Sequence, residues 1–460
     1  DRVLQSQGQG YGLPPGASTT NSAAIVRSFE FTSENATYGA FIEEQIGWKD
    51  RLFLTAGART DQNSAFGRSV GNTVYPRAAL SWVMSQEPWY KTVAGISRAR
   101  VRLAYGKAGV QPGTTAALQF LSASTFPADG GELPGLRLTS IGNQLLKPEV
   151  TTEYEAGVDL GILNDQINVE ATYFRKRSED ALFQKPLPPS FGAGNSKWEN
   201  LAKVENKGYE LTVDANILQT RLVHWNVRVN GSHIKNKLVD DGDVQLGTPV
   251  GARNVEGYPL FGLWDRKLES WNDANGDGII TENEITVGTD AFRGATLPEY
   301  EAGLSTVLGL LQNTLRVSAL FDYRGKFWNQ WGYFNQRCVG TGNCREVNDP
   351  STPLDRQAAA VGANSPSKRT QWGVFVPNDF IRFRELSFSY AVPERLSAQY
   401  LRARSVTVVL SGRNLGVPWT KYPGLDPETN STANNTGGGN NDFFSAPLLR
   451  YWIARVNIAL

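Results

Sequence analysis

Twelve consecutive residues carry the chain's most specific chemistry: Asp273-Ala274-Asn275-Gly276-Asp277-Gly278-Ile279-Ile280-Thr281-Glu282-Asn283-Glu284. They fit the calcium-loop pattern D-x-[DN]-x-[DN]-G-x5-E at every defined position. A hard cation takes oxygen ligands. The spacing offers side-chain oxygens of Asp273, Asn275 and Asp277, the Ile279 carbonyl, Thr281 directly or through water, and a bidentate Glu284. Gly278 permits the sharp turn that brings them together. Three carboxylates suit Ca²⁺, whereas Mg²⁺ demands a tighter octahedron. The flanks, Leu263-Trp264-Asp265 and Ile285-Thr286-Val287-Gly288, read as strand rather than as the helices of an EF-hand pair. The expectation is therefore a lone calcium-stapled loop on an outer face. The competing reading is a Gly/Asn/Asp turn whose side chains bond only to nearby backbone.

The remaining reactive side chains are few. Cys338 and Cys344 are the two cysteines, separated by Val-Gly-Thr-Gly-Asn. They could close a small disulfide loop in an oxidising compartment, or remain two thiols. Trp198, Trp264, Trp271, Trp328, Trp331, Trp372 and Trp419 fall in loop-like stretches. Their flat rings could stack on sugars or peptides; packing loops together, or lying at a membrane interface, is the commoner use. His224 and His233 have no ligand-spaced partner and are assigned no site. No nucleophile elbow, P-loop, H-E-x-x-H or dinucleotide fingerprint occurs, so no enzyme is expected. Paired carboxylates such as Glu43-Glu44 are explained more cheaply as solvated or lumen-facing charges.

These residues need a scaffold, and the hydropathy pattern supplies one. Mean hydropathy is −0.35, and no run of ~18 apolar residues exists to form a membrane helix. Basic and acidic side chains number 46 and 45, for a net charge of +1. That balance gives nucleic acid nothing to bind. Alternation is the dominant signal. Leu211, Val213 and Ala215 interleave with Thr212, Asp214 and Asn216, and Trp452, Ala454, Val456 and Ile458 with Ile453, Arg455 and Asn457. Period two places each set on one face of a strand. Thirteen such stretches, each ~10–12 residues long, are predicted at 36–47, 51–62, 74–85, 99–110, 151–161, 166–176, 205–218, 221–236, 299–310, 313–323, 381–392, 404–414 and 450–460. Soluble strands usually stop near ~5–6 residues, whereas a tilted bilayer-crossing strand needs ~9–11. The fold class is thus all-β, a transmembrane antiparallel β-barrel.

The connectors sort into two alternating classes: short ones (48–50, 162–165, 219–220, 311–312), with somewhat longer ones at 86–98 and 393–403, and long ones (63–73, 111–150, 177–204, 237–298, 324–380, 415–449). Outer-membrane barrels show this asymmetry, with short turns in the periplasm and long loops outside. On that assignment 36–47 and 450–460 both descend, and the chain ends in the periplasm. The calcium pattern then lies in the long extracellular loop 237–298. Thirteen is odd, while bacterial single-chain barrels have even strand counts. The N-terminus has neither an initiator Met nor a signal peptide, and Gly, Pro, Ser and Asn crowd positions 5–22 as a loop. The expectation is a C-terminal portion of a larger barrel. In 380–390 the alternation changes phase near Arg384-Glu385, which predicts a β-bulge or a strand continuing above the membrane. Arg382 and Arg384 should face the lumen or lie above the apolar band.

Several segments resemble the barrel of SusC/RagA-type TonB-dependent transporters. Tyr75-Pro76-Arg77-Ala78-Ala79-Leu80-Ser81-Trp82 is similar to a family strand, as is Arg102-Leu103-Ala104-Tyr105-Gly106-Lys107-Ala108-Gly109. In the same order follow Leu146-Lys147-Pro148-Glu149, Glu153-Tyr154-Glu155-Ala156-Gly157, Val204-Glu205-Asn206-Lys207-Gly208-Tyr209-Glu210 and Gly257-Tyr258-Pro259-Leu260-Phe261-Gly262. Phe380-Ile381-Arg382-Phe383-Arg384-Glu385-Leu386, Gly412-Arg413-Asn414-Leu415 and Tyr422-Pro423-Gly424-Leu425-Asp426-Pro427-Glu428 close the series. Departures are the absent plug domain and TonB box, Leu460 where an aromatic is usual, and Glu284 where many relatives use Asp.

The resemblance implies the last thirteen strands of a 22-stranded outer-membrane barrel of a Gram-negative bacterium, set among outer-membrane lipids. It implies import of a glycan or peptide substrate beneath a SusD-like surface lipoprotein, with TonB acting through the missing plug region. Calcium is the expected cofactor. A passive porin or structural barrel subunit shares the strand rhythm, and a secreted calcium-binding lectin-like β-protein shares the loop and the aromatics; both remain open at this point.

Overall fold

The computed structural model describes residues 2–9, 25–32, 34, 36–64, 73–90, 95–128, 131–188, 190, 196–242, 246–247, 251–429, 441–443 and 445–459. Thirteen long strands form one sheet: β1 Thr37–Trp48, β2 Leu52–Asn63, β3 Thr73–Trp82, β4 Ile96–Val110, β5 Glu149–Ile162, β6 Ile167–Pro186, β7 Ser196–Gln219, β8 Val223–Asp240, β9 Tyr300–Leu310, β10 Leu315–Gly325, β11 Phe380–Val392, β12 Ser405–Thr420 and β13 Tyr451–Ala459. Each pairs only with its sequence neighbours, from β1 at one edge to β13 at the other, and the ladders are antiparallel throughout. Every predicted strand is present, but the alternation of connector lengths is looser than expected: 64–72 and 187–195 on the long-connector side are shorter than 83–95 and 393–404 on the other. Two of the short turns are built on left-handed residues: Lys49 and Asp50 (φ 51° and 53°) after β1, and Leu311, Gln312 and Asn313 (φ 53°, 58° and 64°) after β9.

Several boundaries move. β6 and β7 run to 20 and 24 residues, so most of the expected 177–204 loop is a hairpin continuing past the bilayer. A register shift around Asp180 (φ 56°) bends it. Ala181, Ala202, Val204 and Leu238 are buried against Phe183 and Leu260, giving the extension a core of its own. β8 likewise continues to Asp240, which shortens the 237–298 loop at its start. Within the 111–150 connector Phe120–Ala128 pairs with Gly131–Ser140. Near the N-terminus Arg2–Gln9 pairs with Ile25–Thr32; the loop expected over 5–22 thus begins in a strand, and its positions 10–22 lie outside the described residues. So do Leu460 and 430–440 of the 415–449 connector.

Register fixes the two faces. Leu103, Val158, Val169, Val213, Val227 and Leu304 share one face across β4 to β9, while Arg102, Asp159, Asn168, Asp214, Asn226 and Ser305 share the other. The apolar face meets lipid, and the polar one lines the lumen. Toward the long connectors the apolar face ends in rings. Tyr173 pairs with Tyr209, Tyr209 with His233 and His233 with Tyr300. Ring centroids are 5.1 Å apart for Tyr173–Tyr209 and 4.6 Å for the stacked His233–Tyr300 pair. Tyr105–Tyr154 on one flank and Tyr323–Trp419 on the other extend this row. It is an aromatic girdle of the kind that marks a membrane–water boundary. His233, given no role from sequence, belongs to it.

Candidate functional site on the extracellular loops

The connectors between β8 and β9 and between β10 and β11 fold into a layer over one end of the sheet. Leu246–Gly247, Gly251–Asn254, Gly262–Trp271 and Ile285–Ala295 form a four-stranded sheet. Helix α1, Leu354–Asn364, packs on it by burying Ala358 against Leu268, Ile280 and Ile285. A second cluster joins Phe334, Cys338, Cys344, Ala359, Ala360, Ala363 and Val374. Cys338 and Cys344 are joined by a disulfide, resolving the choice between bridge and free thiols. The loop tryptophans are largely structural. Trp264 is buried edge-on to Tyr258, Trp331 stacks on Phe334, and Trp328 and Trp372 clasp the Arg293 guanidinium at 4.4 and 4.7 Å. Trp198, Trp271 and Trp419 remain exposed.

The Asp273–Glu284 segment connects the two long strands of this outer sheet. Gly276 and Gly278 take φ values of +71° and +81°, a left-handed conformation that glycine adopts at least cost. Asp273 accepts hydrogen bonds from the amides of Gly276 (2.9 Å) and Gly278 (2.9 Å). Asn275 Oδ1 accepts from Asp277 N, and Asp277 Oδ1 from Ile279 N. Glu284 reaches back across the loop to the amides of Ala274 (2.9 Å) and Thr281 (2.9 Å) and to the Thr281 hydroxyl (2.8 Å). Those amides, that of Thr281 foremost, hold the Glu284 carboxyl below its ordinary pKa. The loop thus closes on itself through its acidic residues, each donor-rich turn facing a carboxylate. Among the described residues one group of His, Cys, Asp or Glu ligand atoms lies mutually within 4.8 Å: Cys338, Cys344 and Glu346. Its sulfurs are committed to the disulfide. The carboxylates of Asp273, Asp277 and Glu284 are spaced more widely than that.

Sequence reading missed what seats this loop. Gln357, on α1 and 1% exposed, donates to the carbonyls of Gly278 and Thr352, both at 2.8 Å, and accepts from Ile280 N at 2.8 Å. It lies 77 residues from Ile280, and no local pattern distinguishes it from any other helical glutamine.

A second constellation sits where β11 meets the layer. The predicted bulge is present: Leu320 pairs with Glu385 and Phe321 with Phe383, leaving Arg384 as the extra residue. Arg382, 2% exposed, is ion-paired to Asp426 and, through Nε at 2.6 Å, to Glu428. Arg384 pairs with Asp322 and donates from Nη1 to Glu428 at 2.7 Å. Burial alone would raise the Glu428 pKa. The hydrogen bond from Arg384 and the charges of Arg382 and Arg384 outweigh it and hold the carboxyl below its usual range. The strand and the Tyr422–Glu428 turn are therefore one device, in which two arginines fasten the last long connector to the barrel rim. Both arginines avoid lipid, as expected. Deeper in the lumen Asp159 holds Arg100 and Arg102, with Nη2 distances of 2.5 and 2.8 Å.

Membrane-length antiparallel strands, apolar outside and charged inside, with every long connector gathered at one end, define the wall of an outer-membrane barrel. Residues 3–263 match the family described as TonB dependent receptor-like, beta-barrel, and the chain belongs to that family, whose members are outer-membrane proteins of Gram-negative bacteria. TonB-dependent receptor P3 of Formosa agariphila is 23% identical over 95% of this chain and 47% of its own length. TonB-dependent receptor SusC of Bacteroides thetaiotaomicron is 22% identical over 92% of this chain and 44% of its own. The RagAB peptide importer in its open-open state superposes with a TM-score of 0.77 at 19% identity, covering 97% of this chain and 49% of that one. The chain spans about half the length of the relatives it matches.

Proposed function

We propose that this chain forms barrel wall and outer loops of a TonB-dependent importer that takes up oligosaccharides or peptides with a SusD-like surface lipoprotein. The carrying observation is the loop layer itself: a disulfide, a buried glutamine and a four-arm ion network consolidate the long connectors into a platform above a charged lumen. A passive pore needs no such platform, and a secreted lectin needs no lipid-facing wall. Uptake of labelled oligosaccharides and of labelled peptides by cells with and without the intact protein tests the reading. Loss of one substrate class on deletion, and the same loss on collapsing the inner-membrane proton gradient, is expected. Uptake that persists without the gradient would identify a passive pore.

We further propose that Asp273, Asn275, Asp277, Ile279, Thr281 and Glu284 hold calcium as a structural ion. The donor set is oxygen only, Gly278 adopts the left-handed turn that the pattern's glycine position calls for, and the outer face is calcium-accessible. Binding would draw the carboxylates inward from the amides they now face. Metal content of the protein and of Asp273→Ala and Glu284→Ala decides the point: about one ion lost in each variant is expected, and equal content in all three sinks the assignment.

A further inference from the structure

Directly beyond the aromatic girdle, on the outward face, the sheet sets cations against cations. Arg175 pairs in register with Lys207, and Lys207 with Lys235. The next outward row holds Arg177, Glu205 and Lys237. Like charges directly opposite one another work against antiparallel pairing, so such a row calls for an anion from elsewhere. Within these two rows Glu205 is the carboxylate among the described residues, and Arg175 takes it at 2.6 Å; Glu299, beside the ring row, is taken by His233 and Lys326. Arg177 turns to Glu179 at 3.3 Å. Lys207, Lys235 and Lys237 are exposed and form no ion pair among the described residues.

Their level decides what can meet them. Two residues along each strand below Lys207 and Lys235 stand Tyr209 and His233, in the ring row that ends the apolar band. Two strand residues span ~7 Å, which puts the Lys207 and Lys235 ammonium groups at headgroup depth on the lipid-facing side and Lys237 one row, another ~7 Å along the strand, farther out. They lie at the strand ends that carry the long connectors, so the leaflet they face is the outer one. We propose that Lys207, Lys235 and Lys237 bind phosphate groups of the glycolipids in the outer leaflet. The ammonium ends of flexible stems suit a phosphate whose position varies with the lipid. The girdle rings below would bear on the sugar and acyl boundary of the same molecule. The proposal rests on the outer-membrane wall and is independent of what the barrel imports.

The test uses the intact protein extracted from outer membranes in detergent, titrated with phosphate-bearing lipid A and with the same lipid after its phosphates are removed. The phosphorylated form is expected to bind at least about tenfold tighter, given what each basic side chain contributes near an anionic surface. Lys207→Gln/Lys235→Gln/Lys237→Gln should bring the two lipids within about twofold of each other. The corresponding triple arginine variant should keep the difference, and so should Lys49→Gln, which alters a lysine in the opposite, short turn. Heat-resistant migration in SDS checks that each variant is folded. Equal binding of both lipids to the unaltered protein, or a preference that survives the glutamine changes, would overturn the proposal. So would inorganic phosphate alone binding as tightly as the lipid, because the row would then serve a free anion.

Discussion

At the scale of single residues, two buried side chains carry the loop layer. Gln357 satisfies two carbonyls and one amide from inside the protein. Gln357→Ala would leave them unpaired, at ~1–3 kcal/mol for each group that water cannot reach. Hydrogen exchange at the Ile280 amide should accelerate by one to several orders of magnitude on that estimate, while β8 and β9 stay protected. Unchanged exchange at Ile280 would show that the loop is held otherwise. Arg382 makes the opposite kind of contribution. Arg382→Met would strand Asp426 as a buried charge and leave Glu428 to Arg384, a loss of ~3–5 kcal/mol, read as a lower unfolding midpoint in urea. Glu428 adds a pH dependence. Its folded-state pKa is depressed, so its stabilisation is complete above the ordinary carboxylate value of ~4.3 and disappears as pH falls through the lowered one. Thermal melting between neutral pH and pH ~3 should show that loss, and Glu428→Gln should reduce it. The arginines were legible in the sequence as residues that must avoid lipid; their acidic partners, 44 residues on, were legible only as a family motif. Gln357 had no signal at all, because its job is defined by a contact that only the folded chain creates.

At the scale of elements, period-two patterning revealed all thirteen strands and the bulge at Arg384, though not the register shifts at Ile96–Arg98 or Asn216–Leu218. Lipid on one side and water on the other force every strand to declare its faces. Where that constraint stops, legibility stops with it. β6 and β7 extend past the bilayer as a hairpin whose two faces both meet water or protein, so Ser178 to Leu201 lack clean alternation and read as loop. The outer four-stranded sheet and α1 escaped for the same reason. The two faces make a direct prediction for β8. Val229→Arg places a cation on the lipid face and should cost ~2–4 kcal/mol near midplane. Asn230→Arg, one residue on and facing the lumen, should cost far less. Reversible unfolding of the two variants from lipid vesicles measures both, and equal penalties would mean that the faces have been assigned wrongly.

At the scale of the whole molecule, the sheet's two edges govern what else is required. β1 and β13 each have a single neighbour, and all their described residues are exposed. About half the amides and carbonyls of an edge strand point away from its partner. In hydrocarbon each unpaired group costs several kcal/mol, ~2–7 by transfer measurements, so leaving two such edges open would outweigh the net stability of any ordinary domain. Further strands must therefore cover both edges in the membrane, which agrees with relatives roughly twice as long. Hydrogen exchange tests this residue by residue. In the intact protein embedded in outer membranes, the outward-pointing amides of Phe41 to Gly47 in β1 and of Trp452 to Ile458 in β13 should be as protected as those of β7 and β8. In the thirteen-strand chain held alone in detergent, the same amides should exchange far faster while the inward-pointing ones of both strands stay slow. Rapid exchange at these edges within the membrane would mean that the sheet is not closed, and the barrel reading of its lumen would fall with it.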